Sequence, residues 1–197
     1  MRTISGSLVD RLLTCSLVVA PALYLVADVL YAARGWESDP TGGVFHVLGA
    51  LSYTLVVLRV ATWTTDRLAA LLLVVGAVGV AGNVAYGFDT IHVALGDTSL
   101  VDQVGAATLI KPLGLSFPLT LLMCAVALRR IAPTWVVTLI GAAGLAFPVA
   151  NIGNIAPLGV AVSVAALVAF GALALRSRSV AADPPGARSG LVIGRGR

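Results

Sequence analysis

Asp28 stands inside an uninterrupted apolar run, residues 12–33, where a carboxylate has no water to solvate it. At a bilayer centre such a group costs ~2.5–3.5 kcal/mol, and less toward the surface. Asp28 is five residues short of the end of its run, and at a helical rise of 1.5 Å per residue it lies roughly 8 Å inside the boundary. Tyr24, Asp28 and Tyr31 follow the i, i+4, i+7 spacing of one helix face, so that face is expected to look into the protein. His46 and Tyr53 are likewise seven apart in the next run. Asn83 and Tyr86 close the third, Lys111 stands directly before Pro112, and Asn151 and Asn154 lie between the last two runs.

These residues offer a carboxylate, an imidazole, an ammonium group, phenols and carboxamides, which is chemistry for binding a small polar molecule or carrying a proton. Bond-making motifs are absent from the sequence: there is no HExxH, GxSxG, Walker loop or helix-opening GxGxxG, so no catalytic residue is assigned. His46 and His92 lack a third ligand, and Cys15 and Cys124 stand far apart without CxxC spacing, so no metal site is assigned and no cofactor is specified. The candidate site is a polar pocket of Asp28, His46, Tyr53, Asn83, Lys111 and Asn151. Within it Asp28 is expected to pair with Lys111 or His46, because an unpaired buried carboxylate must otherwise be protonated or hydrated. Blander roles exist for each residue: an interfacial histidine, a lysine reaching out to water, asparagines that only close a turn.

The elements that must position these groups follow from composition. Of 197 residues 58% are hydrophobic and 11% charged, with a mean hydropathy of +0.98, far from the usual soluble domain. The apolar stretches are continuous rather than alternating, which excludes strands, since an open sheet edge in lipid leaves backbone groups unsatisfied. The fold class is all-α: a polytopic membrane bundle with spans near residues 12–33, 43–63, 68–88, 112–128, 133–150 and 157–175. Each span approaches the ~20 residues that cross a ~30 Å hydrocarbon core. The run at 12–33 is too long for the ~7–15 apolar residues of a secretory signal and is kept as the first helix. The bilayer is thus the first partner.

Orientation follows the bases. Arg2 and Arg11 precede the first helix, Arg59 and Arg67 flank the second turn, Arg129 and Arg130 fill the fourth, and Arg176 and Arg178 follow the sixth, while the other connections are poor in base. By the positive-inside rule both ends face the cytoplasm, and every residue of the candidate site falls in the outer half of the membrane. The net charge of +4 is spread over run ends without a basic stripe, which argues against nucleic acid. Twelve of the thirteen bases are Arg, a usage expected of a bacterium with a GC-rich genome, and the expected location is its plasma membrane. The chain divides into a membrane domain, 1–176, and a Gly, Pro, Ser and Arg-rich tail, 177–197, expected to be disordered.

Three further patterns bear on packing. Gly76, Gly79 and Asn83 recur at helical spacing, as do Ala161, Ala165 and Ala169 beside Gly159 and Ser163, and such stripes let helices approach closely within a monomer or between copies. A shift of 65 positions lays Gly76, Gly79 and Ala81 on Gly141, Gly144 and Ala146, which suggests that helices 2 and 3 are a parallel copy of helices 4 and 5. Residues 89–104 form the longest connection and are apolar enough for an interfacial or re-entrant segment. The function expected from all this is binding or passage of a small molecule or proton through an outward-facing polar pocket. The alternative is a non-transporting membrane subunit or regulator that packs against a protein partner or a second copy. Flux in vesicles separates the two.

Overall fold

The computed structural model describes residues 7–36 and 38–182, the last five of these by backbone alone. Among the described residues every regular element is helical: α1 (Leu8–Arg34), α2 (Pro40–Ala61), α3 (Asp66–Ala94), a 3₁₀ segment (Gly105–Leu109), α4 (Ile110–Leu128), α5 (Thr134–Ile152) and α6 (Ala156–Ala182). Six helices are long and apolar enough to cross a membrane. Each packs on its neighbours in the chain, α1 closes on α6, and α2 also touches α4 across the interior. The bundle is therefore a ring in sequence order, pinched at α2 and α4.

Large apolar side chains cover its outside. Val18, Val26 and Val29 of α1, Leu71 and Val74 of α3, and Leu145 and Val149 of α5 are exposed, a surface suited to lipid rather than water. Inside, Leu17, Ala50, Val56, Leu72, Leu128 and Ile140 are fully enclosed.

Local chemistry sets the helix ends, and several extend past the apolar runs. Ser7 caps α1, its hydroxyl accepting from the Asp10 N–H at 3.1 Å, so the helix starts at Leu8 rather than at the first long apolar stretch. Gly35, at φ 85°, ends it and donates its N–H to the Tyr31 carbonyl. Asp39 caps α2, accepting from the Thr41 N–H at 2.9 Å, and Pro40 takes the first helical position. α3 continues through Asp89 to Ala94, which removes the first six residues of the expected 89–104 connection. α4 begins at Ile110, two residues before the expected Pro112. The proline is tolerated in the first turn because the N–H it lacks would have no helical partner there. α6 runs to Ala182, so 177–182 of the expected disordered tail is helix; residues 183–197, and Glu37, lie outside the described residues.

Glycines let α3 approach its neighbours. A Cβ on Gly82 would fall 2.3 Å from the Leu113 carbonyl carbon, and one on Gly79 would fall 2.7 Å from the Phe117 nitrogen. Backbone meets backbone between α3 and α4, with no side chain between. Gly76 and Gly87 face α2 instead, against Val57 and Val47. The small-residue stripe of α3 thus serves contacts inside the monomer. On α6 the expected small-residue pattern is met in part: Gly159, Ser163 and Ala169 are buried, Ala165 is half-buried and Ala161 is exposed.

Candidate functional site

The α3–α4 contact creates the first polar feature. Pro118 lies inside α4 and has no N–H, so the carbonyl four residues earlier, that of Gly114, loses its helical donor. The Asn83 carboxamide takes that place across the glycine contact, donating from Nδ2 to the Gly114 carbonyl at 3.2 Å and to the Gly79 carbonyl at 3.2 Å. Its Oδ1 accepts from the Tyr24 hydroxyl at 3.1 Å and lies 3.3 Å from His46 Nε2. Every hydrogen-bonding position of this buried amide is used. With Nδ2 committed to two carbonyls, the oxygen must face His46, so the network places a proton on Nε2. Nδ1 has no partner among the described residues, and neither does Trp36 Nε1.

Beneath Asn83, toward the middle of the bundle, aromatic rings close the interior. Tyr24 stacks on Phe117 with centroids 5.3 Å apart, and Tyr53 meets both edge-on at 5.5 and 5.0 Å. Phe147 adds a ring 5.1 Å from Phe117.

Above it, at the base-poor end, a cavity of about 450 Å³ opens among α3, α4 and α5, a size that holds a small organic molecule. Asn83, Tyr86, Asp89 and Thr90 line it from α3, Lys111 and Pro118 from α4, and Phe147 and Asn151 from α5. Trp36 completes the wall from the α1–α2 connection, with its indole stacked on Tyr31 at 4.0 Å. The segment between α3 and α4 folds over this end. Asp89 holds it, accepting from the Ser99 hydroxyl at 2.8 Å and the Leu100 N–H at 2.5 Å, and Lys111 bonds to Asp102 at 3.0 Å. Ser99, Val101 and Asp102 thereby join the lining.

Of the six residues singled out in the sequence, the structure brings Asn83, Lys111 and Asn151 to this cavity. His46 stands behind its wall, joined through Asn83. Tyr53 belongs to the aromatic layer beneath. Asp28 lies elsewhere: its Oδ2 accepts from the Ser163 hydroxyl of α6 at 2.5 Å, and Gly159 leaves it room, since a Cβ there would sit 3.3 Å from Oδ1. The expected pairing of Asp28 with Lys111 or His46 is therefore corrected. Lys111 is engaged by Asp102 with more than half its side chain exposed, His46 by Asn83, and Asp28 turns from them toward α6. The inward orientation of the Tyr24, Asp28 and Tyr31 face does hold, at 2, 5 and 2% exposure.

Trp36, Asp89, Thr90 and Ser99 were not in the expected site. A usable signal existed for part of this set: Asn83, Tyr86 and Thr90 follow i, i+3, i+7, one face of α3, once the helix is allowed to run past Phe88. His92 stands apart, 3.3 Å from Asp97, and no three His, Cys, Asp or Glu residues among those described come together as metal ligands. No protein-family model, curated protein or solved structure matches the chain, so the meaning of the cavity rests on its geometry.

Proposed function

We propose that the protein binds a small molecule in the cavity at the base-poor end of the bundle, which by the arginine distribution faces the outside of a bacterial plasma membrane, with both chain termini in the cytoplasm. The observation that carries this reading is the cavity itself: about 450 Å³ in volume, with apolar walls and polar groups supplied by three different helices. Such convergence is the usual form of a small-molecule site. The aromatic layer under Asn83 seals the cavity from the opposite end, so binding is the function of this conformation, and passage requires Phe117 and Tyr53 to part.

Accessibility tests both site and orientation. In a background with Cys15 and Cys124 replaced by alanine, Asn151→Cys should react with a membrane-impermeant maleimide added outside intact cells, and Tyr53→Cys, in the sealed layer, should not. Labelling of Asn151→Cys only after cell lysis would reverse the orientation; no labelling in either condition would remove the cavity. The alternative role as a subunit predicts co-purification with a partner protein and no solute flux in vesicles.

A further inference from the structure

The lining of the cavity carries an unbalanced charge. Lys111 is bonded to Asp102, so those two compensate each other at the mouth. Asp89 has no cationic partner among the described residues; its two oxygens receive only the Ser99 hydroxyl and the Leu100 N–H. It is also 5% exposed. Neutral dipoles stabilise the carboxylate but leave its charge of −1 directed at the cavity it lines. A buried charge in a low-dielectric wall acts strongly on whatever occupies the space beside it.

Three aromatic side chains line the same space, and each is braced by another ring. Trp36 stacks on Tyr31 at 4.0 Å, Tyr86 lies 5.8 Å from the His46 ring, and Phe147 packs on Phe117 at 5.1 Å. Rings held in this way keep their faces in place before a ligand arrives, and aromatic faces attract cations through their quadrupole. Aromatic walls with one uncompensated carboxylate make a site for an organic cation. An anion would meet Asp89 repulsively, and its natural partner Lys111 is already taken.

We infer that the ligand of this cavity is an organic monocation of the amine or quaternary ammonium class, its charge set against Asp89 and its apolar part against Trp36, Tyr86 and Phe147. The inference rests on the cavity being a binding site, as proposed above, and adds the sign of the ligand's charge.

The test uses the full chain purified in detergent, with Trp63→Phe and Trp135→Phe leaving Trp36 as its one indole. Benzylamine, benzyl alcohol and benzoate present the same ring with charges of +1, 0 and −1 at neutral pH. Benzylamine should change Trp36 emission saturably and at a concentration about tenfold lower than the alcohol, with benzoate weakest. Asp89→Asn retains an acceptor for Leu100 and a donor for Ser99, and it should weaken benzylamine about tenfold while leaving the alcohol unchanged. Lys111→Met frees Asp102 and should tighten benzylamine by about threefold. Opposite signs from the two variants identify charge as the cause, which a purely structural role would not produce. If benzoate or the alcohol binds as tightly as benzylamine, or if neither variant shifts benzylamine, the cation inference fails and the pocket stands. If none of the three compounds changes the emission, the binding reading fails with it.

Discussion

The two ends of this bundle are built from the same six helices and finish differently. At the arginine-rich end the connections are short, residues 62–65 and 129–133, and the surface is tied together: Arg59 of α2 reaches Asp10 of α1 at 2.7 Å and lies over the Trp63 ring at 4.7 Å. At the other end fifteen residues, 95–109, join α3 to α4 and arch over a cavity. Prolines inside α4 and α5, Pro118 and Pro148, line that cavity. The α1–α2 and α5–α6 connections at the cavity end, residues 35–39 and 153–155, are as short as those opposite, so the difference lies in the α3–α4 connection and in the interrupted helices. The arginine-rich end closes where charges pair across neighbouring helices. The cavity end opens where interrupted helices and a long connection leave polar groups to be satisfied by side chains.

The sharpest way to break the contrast is to wedge α3 from α4. Gly82→Val places carbon against the Leu113 carbonyl and should cost about 3 kcal/mol, at the upper end for overpacking, whereas Gly114→Ala, with nothing within 4 Å of the added carbon, should be close to neutral. Thermal melts in detergent compare them directly, and equal losses would contradict the close backbone contact. Asn83→Ala comes next. It leaves the Gly114 carbonyl, the Tyr24 hydroxyl and His46 Nε2 without partners and should cost about 2 kcal/mol; an undiminished melting temperature would show that the carboxamide does not hold the α3–α4 joint.

The closed end should respond less. Arg59→Met removes a partly exposed ion pair and a ring contact and should cost about 1 kcal/mol, with the loss shrinking in high salt, while salt should leave the Asn83→Ala loss unchanged. The smallest effect belongs to the α1–α2 connection. The Thr41 hydroxyl and N–H, with Arg34, hold the Asp39 carboxyl down to about 2. Because its folded value lies below its unfolded one, the stabilisation is complete above pH 4 and is lost as pH falls from about 4 to 2. A spin label at Ser38→Cys should loosen over that window and stay constant from pH 5 to 8.

The sequence carried the six spans and the base-poor end plainly, because both depend on long runs and on charges that no packing can hide. Helix ends were less legible: Asp89 read as a loop residue since charge normally ends an apolar run, yet here Ser99 and Leu100 satisfy it inside α3. Half of the expected site reached the cavity. Asn83, Lys111 and Asn151 did so because their depth alone placed them. Asp28 did not, because its partner depends on which way α1 turns, and a lone serine on an apolar helix 135 positions away gives no signal in one sequence. Pro118 did contain a readable clue, since a helical proline always frees the carbonyl of residue i−4. The 65-residue similarity finds hairpins α2–α3 and α4–α5 set consecutively around the ring, but Gly76 abuts Val57 whereas Gly141 has only Ala125 at 3.9 Å.

Ring closure between α1 and α6 also has a consequence for biogenesis. Translation proceeds at ~5–20 residues per second, so the 135 residues separating Asp28 from Ser163 correspond to roughly 7–27 s of synthesis at that rate. During that interval α1 is inserted with its carboxylate lacking the α6 hydroxyl. Until the last helix emerges the Asp28 carboxyl must be protonated, hydrated or covered by α2, and a chain truncated before α6 should be recognised by membrane quality-control proteases through the exposed Asp28 face.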